Sequence, residues 1–362
     1  MINRIALENL KHRPMRALAG AVAIGVQVAM VLTLVGLSRG MVADAQQRAR
    51  GVGADVVVRP PGSTVFSFSG NFPAATLNFA RQQPGVAIAT GTLVYPLSGA
   101  ESATGIDLAD FNAMSGGFHY LEGGPFRAPD EILVDSIYAH SHNLHAGSSI
   151  QLMNRTWRVA GVVEPGKMSR IFTQLEPLQD LTANNGRISA VWIKLAHPSQ
   201  TDAFVAALKT RLPGFQIYSM QDLLSQLTET NVPMLRQFTD VVIGIGVLFS
   251  FVTVFLSMYT AVLERTREIG ILKALGGSPA FILNILLRET VALAVAGSAL
   301  GIVMTYGARW ILSVLAPMMI QAIVPDWWPI AAVISVAGAL GGALYPGVHA
   351  ARHDVVEALA YE

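Results

Sequence analysis

The sequence predicts an α-helical membrane protein with four transmembrane helices and a large α+β domain on one side of the bilayer. Four uncharged stretches carry the first half of that expectation: Ala17 to Ser38, Val241 to Leu263, Thr290 to Ala308 and Trp327 to Ala351. About 20 apolar residues rising about 1.5 Å each cross a hydrocarbon core of about 30 Å, so each stretch is long enough to span. The polar insert from residue 39 to 237 carries the second half, being large enough to bury a core of its own. Composition agrees: 362 residues with 52% hydrophobic, 14% charged and a mean hydropathy of +0.46 exclude an ordinary soluble enzyme.

The formal net charge of +1 hides an uneven distribution. Arg4, Lys11, Arg13 and Arg16 precede the first span, and Arg265, Arg267, Lys273 and Arg288 lie between the second and third. The excess of Lys and Arg places both segments in the cytoplasm. The chain then divides into a cytoplasmic amphipathic N-terminal helix at 1–16, spans at 17–38, 238–263, 285–308 and 327–348, an extracytoplasmic domain at 39–237, a cytoplasmic segment at 264–284, a short outer loop at 309–326 and a cytoplasmic tail at 349–362. The first apolar run exceeds the roughly 7–15 residues of a signal-peptide core, so it is expected to stay as an anchor. Cysteine is absent, and the outer domain is held by its core alone.

Helix-favouring residues continue from the first span to about Arg50, where Gly51 and Gly53 end a stalk. The outer domain opens with a strand at 55–59, a helix at 74–82 and a strand at 86–94, and closes with a strand at 188–195, a helix at 199–212 and a strand at 215–218. Ser199 with Asp202 resembles a capping box, and Ser219 with Asp222 starts a further helix. Between these two β-α-β units lies a turn-rich insert at 98–186, with strands at 131–135, 149–153 and 157–163. The expected domain is a split α/β subdomain carrying a β-rich second lobe. Trp157, Val159 and Gly161 alternate with Arg158 and Ala160, as a sheet covered on one face requires.

Recognisable catalytic chemistry is missing. There is no GxxxxGK[ST] phosphate loop, HExxH, GxSxG or strand-borne GxGxxG, so no catalytic residue is assigned. His140, His142 and His145, with Asp135 nearby, have spacing that could serve zinc or copper, but a loop without fixed geometry is more simply solvated and no metal site is assigned. Phe66, Phe68 and Phe72 form either an exposed apolar finger or cover for the domain's own core. Gln27 is positioned to hydrogen-bond a neighbouring helix. Small residues recur at four-residue spacing, as Ala21-Gly25-Ala29, Gly297-Gly301 and Gly338-Gly342, making smooth stripes for packing within the chain or between copies.

After span two the chain reads Glu264-Arg265-Thr266-Arg267-Glu268-Ile269-Gly270-Ile271-Leu272-Lys273-Ala274-Leu275-Gly276-Gly277-Ser278-Pro279. Ile269, Leu272 and Leu275 share a helical face, Gly276-Gly277 stop the helix, and Ser278 with Pro279 starts the next. These residues resemble the cytoplasmic signature of the MacB/FtsX-like permeases of ABC transporters, the type VII class that includes the LolC/LolE subunits. The opening Glu8 to Arg16, the ending Tyr345 to Glu362 and, in the insert, Gly123 to Phe126, Asp130 to Asp135 and Trp157 to Val163 are similar to the same family.

The resemblance implies a porter-like outer subdomain and a permease in the bacterial inner membrane, with both termini cytoplasmic. It implies a separate ABC ATPase dimer gripping the membrane domain through Arg267, Glu268, Ile269, Leu272, Lys273, Leu275 and Gly276, and a second permease copy, identical or related. ATP and magnesium would bind the partner, with no cofactor in this chain. Membrane lipid, and a periplasmic adaptor or envelope protein, are the further partners implied; nucleic acid is not. The function that follows is mechanotransmission for export or extraction of a hydrophobic or envelope substrate. The alternative is an FtsX-like scaffold that activates a cell-wall hydrolase.

Overall fold

In a computed structural model, residues 14–63, 70–97, 101–228, 233–264, 271, 274 and 276–352 are described. The proposed N-terminal amphipathic helix, Phe66 and Phe68 fall outside them. The chain forms two compact units: residues 1–39, 233–314 and 321–362, and residues 40–232 with 315–320.

The first unit contains four helices long and apolar enough to cross a membrane. These are α1 (Pro14–Arg50), which continues into the second unit, and α8 (Pro233–Glu264), α9 (Pro279–Leu315) and α10 (Trp328–Arg352). Helix α9 starts at Pro279, which is tolerated in a first turn because its missing N–H has no intrahelical acceptor there. Ile24, Val28, Val31, Leu32 and Val35 of α1 pack with Val254 and Met258 of α8, Leu293 and Ala294 of α9, and Ala331, Ala339 and Ala343 of α10. Apolar side chains also point outward, Phe249 being 65% and Trp310 70% exposed, an arrangement that lipid tolerates and water does not.

The second unit is built on a sheet whose strands, in chain order, are β1 (Val56–Arg59), β2 (Phe72–Pro73), β3 (Val86–Pro96), β4 (Ser102–Ile106), β5 (Tyr120–Gly123), β6 (Glu131–Asp135), β7 (Ser149–Leu152), β8 (Arg155–Val163), β9 (Ile171–Gln174), β10 (Arg187–Ile188), β11 (Ala190–Leu195) and β12 (Gln216–Ser219). The main sheet runs β12-β1-β11-β3-β4-β9-β6-β8-β5, with β7 on β8, while β2 and β10 pair apart. In the first half, β11 lies between β1 and β3, giving the split β-α-β order, with α2 (Ala75–Arg81) and α6 (Thr201–Arg211) as the crossover helices.

The insert is not a detached lobe. Its strands extend the same sheet through β3–β4, antiparallel, and β4–β9, parallel. Strand alternation explains how one core serves both halves. Val57, Ile106, Leu133, Val163, Phe172 and Trp192 share one continuous cluster. Their neighbours Val56, Val58 and Ile193 join a second cluster, and Ile132, Val134, Trp157 and Val159 a third, on the opposite side. Phe72 is buried, its ring edge-on to Phe215 at 5.4 Å, so it covers the domain's core.

Two local expectations change. Ser199 is not a helix cap: Pro198 begins a 3-10 turn at 198–200 and α6 starts at Thr201 without a side-chain cap. His140 and His142 lie not in a loop but on helix α4 (Ser136–His142), which is capped by Asp135 accepting from the Tyr138 N–H at 2.7 Å. Ser219 does cap α7 (Met220–Gln226), accepting from the Asp222 N–H at 3.0 Å.

Candidate functional site

Within the membrane unit the small-residue stripes bring backbones together. A Cβ placed on Gly25 would lie 3.2 Å from the Gly297 carbonyl oxygen, and one on Gly297 would lie 2.7 Å from Ile24 Cβ. These contacts seam α1 to α9, using the stripe inside one chain. Gly342 similarly closes α10 on α8, its Cβ position lying 2.5 Å from the Phe251 carbonyl oxygen, and Gly338 is buried one turn earlier. The Gln27 stem packs at Gly246, and its amide oxygen has no partner among the described residues.

The loop leading into α10 is tied to α1. The Ala322 N–H donates to the Gly36 carbonyl at 2.9 Å, and Arg39 Nη1 donates to both carboxylate oxygens of Asp326 at 2.7 Å.

At the other end of the membrane unit, α8 is described as far as Glu264 and α9 starts at Pro279. Gly276 has φ +91°, a conformation that glycine adopts without strain and that terminates a helix. Ser278 Oγ accepts from the Phe281 N–H at 3.2 Å, the cap expected there. Arg267, Glu268, Ile269, Leu272, Lys273 and Leu275 lie outside the described residues. Ile271 is exposed.

In the outer unit, the last turns of α1 are fixed by contacts the sequence did not announce. Arg170 donates from Nη2 to Asp44 and from Nη1 to Asp135, both at 3.0 Å, and all three side chains are at most 12% exposed. Asp44 also meets Arg48 at i, i+4. Gln46 Nε2 donates to the Leu227 carbonyl at 2.7 Å, and the Met168 N–H donates to the Arg48 carbonyl at 2.9 Å. Gly51 admits no side chain, since its Cβ position falls 1.9 Å from the Gly166 carbonyl oxygen. Burial holds the Asp135 carboxyl above the usual carboxylate range, against the opposing pull of the Tyr138 N–H and of Arg170. Only the Asp44–Arg48 spacing was legible beforehand, because Arg170 finds its partners through the fold.

The histidines do not converge. His145 Nδ1 is 3.2 Å from both oxygens of Glu122, His142 stacks on Tyr138 with centroids 4.1 Å apart, and His140 is exposed. Among the described residues no three His, Asp or Glu side chains gather as a metal site.

Four spans carrying a mixed α/β insert between the first and second define a multi-pass membrane permease. Residues 18–211 match the MacB-like periplasmic core domain and residues 241–355 match the FtsX-like permease C-terminal domain. The chain belongs to the MacB/FtsX-like family of ABC transporter permeases. It is 25% identical over 348 residues to an ABC transporter permease of Mycobacterium tuberculosis, covering 92% of this chain and 93% of that protein. It is 24% identical to the Escherichia coli macrolide export ATP-binding/permease protein MacB over 99% of this chain but 60% of that one. The crystal structure of the periplasmic region of MacB from Actinobacillus actinomycetemcomitans aligns over 49% of this chain and 94% of its own, at 14% identity and a TM-score of 0.39. An ATPase partner is implied by the family.

Proposed function

We propose that the chain is a non-catalytic transmission element, through which a separate nucleotide-binding subunit drives the outer domain for export or extraction of a hydrophobic or envelope substrate. The observation that carries this reading is a single helix with two anchorages. Helix α1 runs unbroken from Pro14 to Arg50; in the membrane unit Gly25 seams it to α9, and in the outer unit Asp44, Gln46 and Gly51 fasten its end. The segment before α9 is the handle, and α9 is the element that passes its motion to α1.

In this reading ATP and magnesium belong to the partner, whose closure pushes on residues 268–277. Ile269, Leu272 and Leu275 fill a groove on it, while Arg267 and Lys273 pair with its acidic rim. Both termini and the handle face the cytoplasm of a bacterial inner membrane, and two permease copies stand side by side. The sparse charge in the spans suits a lever better than a hydrophilic pore.

The test uses the full chain with its ATPase in nanodiscs and a pair of spin labels on the outer domain. ATP should change the label distance, and Gly301→Leu should abolish the change while ATPase binding persists. An unchanged distance in the unsubstituted complex refutes transmission. Stable co-purification of a cell-wall hydrolase without cargo-stimulated ATP turnover would favour the scaffold instead.

A further inference from the structure

A pocket in the membrane unit has polar groups that the transmission reading leaves without a task. It lies between the last turns of α9 and the start of α10, lined by Thr305, Tyr306, Arg309, Gln321, Ile323 and Trp328 among others, and most of its space is open to the outside. The enclosed part has room for a group about the size of one water molecule, which an ammonium matches and a whole drug-sized molecule does not.

Two of its side chains are unsatisfied in complementary ways. Gln321 is 6% exposed, and its amide oxygen has no hydrogen-bond partner among the described residues. A buried acceptor left in that state is costly, so a donor is wanted there. Arg309 is exposed at the pocket and has no ion-pair or hydrogen-bond partner among the described residues. Asp326, the acidic residue of the same loop, is occupied by Arg39.

The surroundings identify the solvent from which a ligand would come. Trp310, Val314 and Ile323 beside the pocket are 70%, 58% and 46% exposed on or next to spanning helices, and Trp327 and Trp328 stand at the start of α10. Tryptophan at the end of a span marks the headgroup level of a bilayer.

We propose that this pocket binds the headgroup of a phospholipid bearing an N–H donor, of the phosphatidylethanolamine class, with its phosphate on Arg309 and its ammonium on the Gln321 amide oxygen. Charge-assisted hydrogen bonds from a guanidinium favour phosphate, and the ammonium supplies the missing donor. The acyl chains stay in the bilayer along Ile323 and Trp328. The inference does not depend on how the chain is driven.

Native mass spectrometry of the full chain, equilibrated with chain-matched phosphatidylethanolamine, phosphatidylcholine and phosphatidylglycerol, tests it. Phosphatidylcholine has the phosphate but no N–H. The unsubstituted protein should retain phosphatidylethanolamine over phosphatidylcholine by about tenfold, the weight of one hydrogen bond to a charged group. Arg309→Gln should weaken retention of both, and Gln321→Leu should erase the preference between them. Equal retention of the two lipids by the unsubstituted protein overturns the proposal, whatever the variants do. So does preference for phosphatidylglycerol, and so does displacement by free phosphoethanolamine at equal concentration, which would assign the site to a soluble ligand.

Discussion

Gly301 meets Gly25 with no room for a side chain: a Cβ on Gly301 would lie 2.6 Å from the Gly25 carbonyl oxygen and 2.7 Å from Val28 Cβ. Both neighbours belong to α1, one of them as backbone, so the clash cannot be relieved by turning a flexible side chain. The spacing of α1 and α9 is therefore set by glycine.

Gly301→Leu should destabilise the membrane unit by at least about 2 kcal/mol, in the upper range of overpacking costs. Gly25→Ala should be milder, since its nearest contacts are 3.2 and 3.3 Å away. Thermal unfolding in detergent ranks the two, and equal midpoints would contradict the seam.

Arg170→Met should weaken the outer domain by about 3–5 kcal/mol, the cost of leaving one member of a buried ion pair without its partner. Asp135 is 1% exposed and already held above the usual range by burial. A carboxyl raised in the folded state loses stability as pH rises from its ordinary 3.8 through the higher folded value. Removing the cation enlarges that loss. The deficit of Arg170→Met should thus be greatest near neutrality and shrink in acid, as denaturant midpoints at several pH values would reveal.

Glu131 behaves in the opposite sense. Its carboxylate accepts from the Arg127 N–H at 2.7 Å and the Ala128 N–H at 3.1 Å, and these bonds hold its pKa below the ordinary 4.5. Its contribution is complete above 4.5 and disappears as pH falls through the depressed value. Glu131→Gln should lower stability at neutral pH and match the parent in strong acid. A penalty independent of pH would rule out this account.

Arg39 and Asp326 form a short but open pair, with side chains 34% and 56% exposed. Asp326→Asn should cost less than about 1 kcal/mol, as exposed ion pairs do. Gly36→Val should cost more, because its Cβ position lies 2.6 Å from the Ala322 carbonyl oxygen. Comparison of the two melting shifts separates charge from close packing.

Replacing Leu272 and Leu275 by Asp should abolish co-purification with the partner ATPase, two buried leucines being enough to anchor a helix in a groove. Retained binding refutes the groove.

The spans were readable because length and hydropathy alone report a membrane helix; α1 ends at Arg50, where Gly51 and Gly53 announce a stop. Strand β8 was readable from alternation, and β6 from the apolar run Ile132 to Val134 between acidic ends. Strands β4, β5 and β9 were not, since Ser102 to Ile106, Tyr120 to Gly123 and Ile171 to Gln174 show neither a period nor an apolar run of three. In the candidate site, the glycine stripes and the Gly276–Ser278 stop-and-start were visible as local chemistry.

By itself the sequence determined the membrane class, the number of long apolar helices, the position of the insert and the family resemblance, because each rests on residues close together in the chain. Tertiary structure alone decided that β4 joins the insert to the first half of one sheet, that Arg170 bridges Asp44 and Asp135 across 126 and 35 positions, and that Gln321 is buried beside Arg309. Such pairings depend on which surfaces meet when the core closes, and no local pattern encodes a partner that distant.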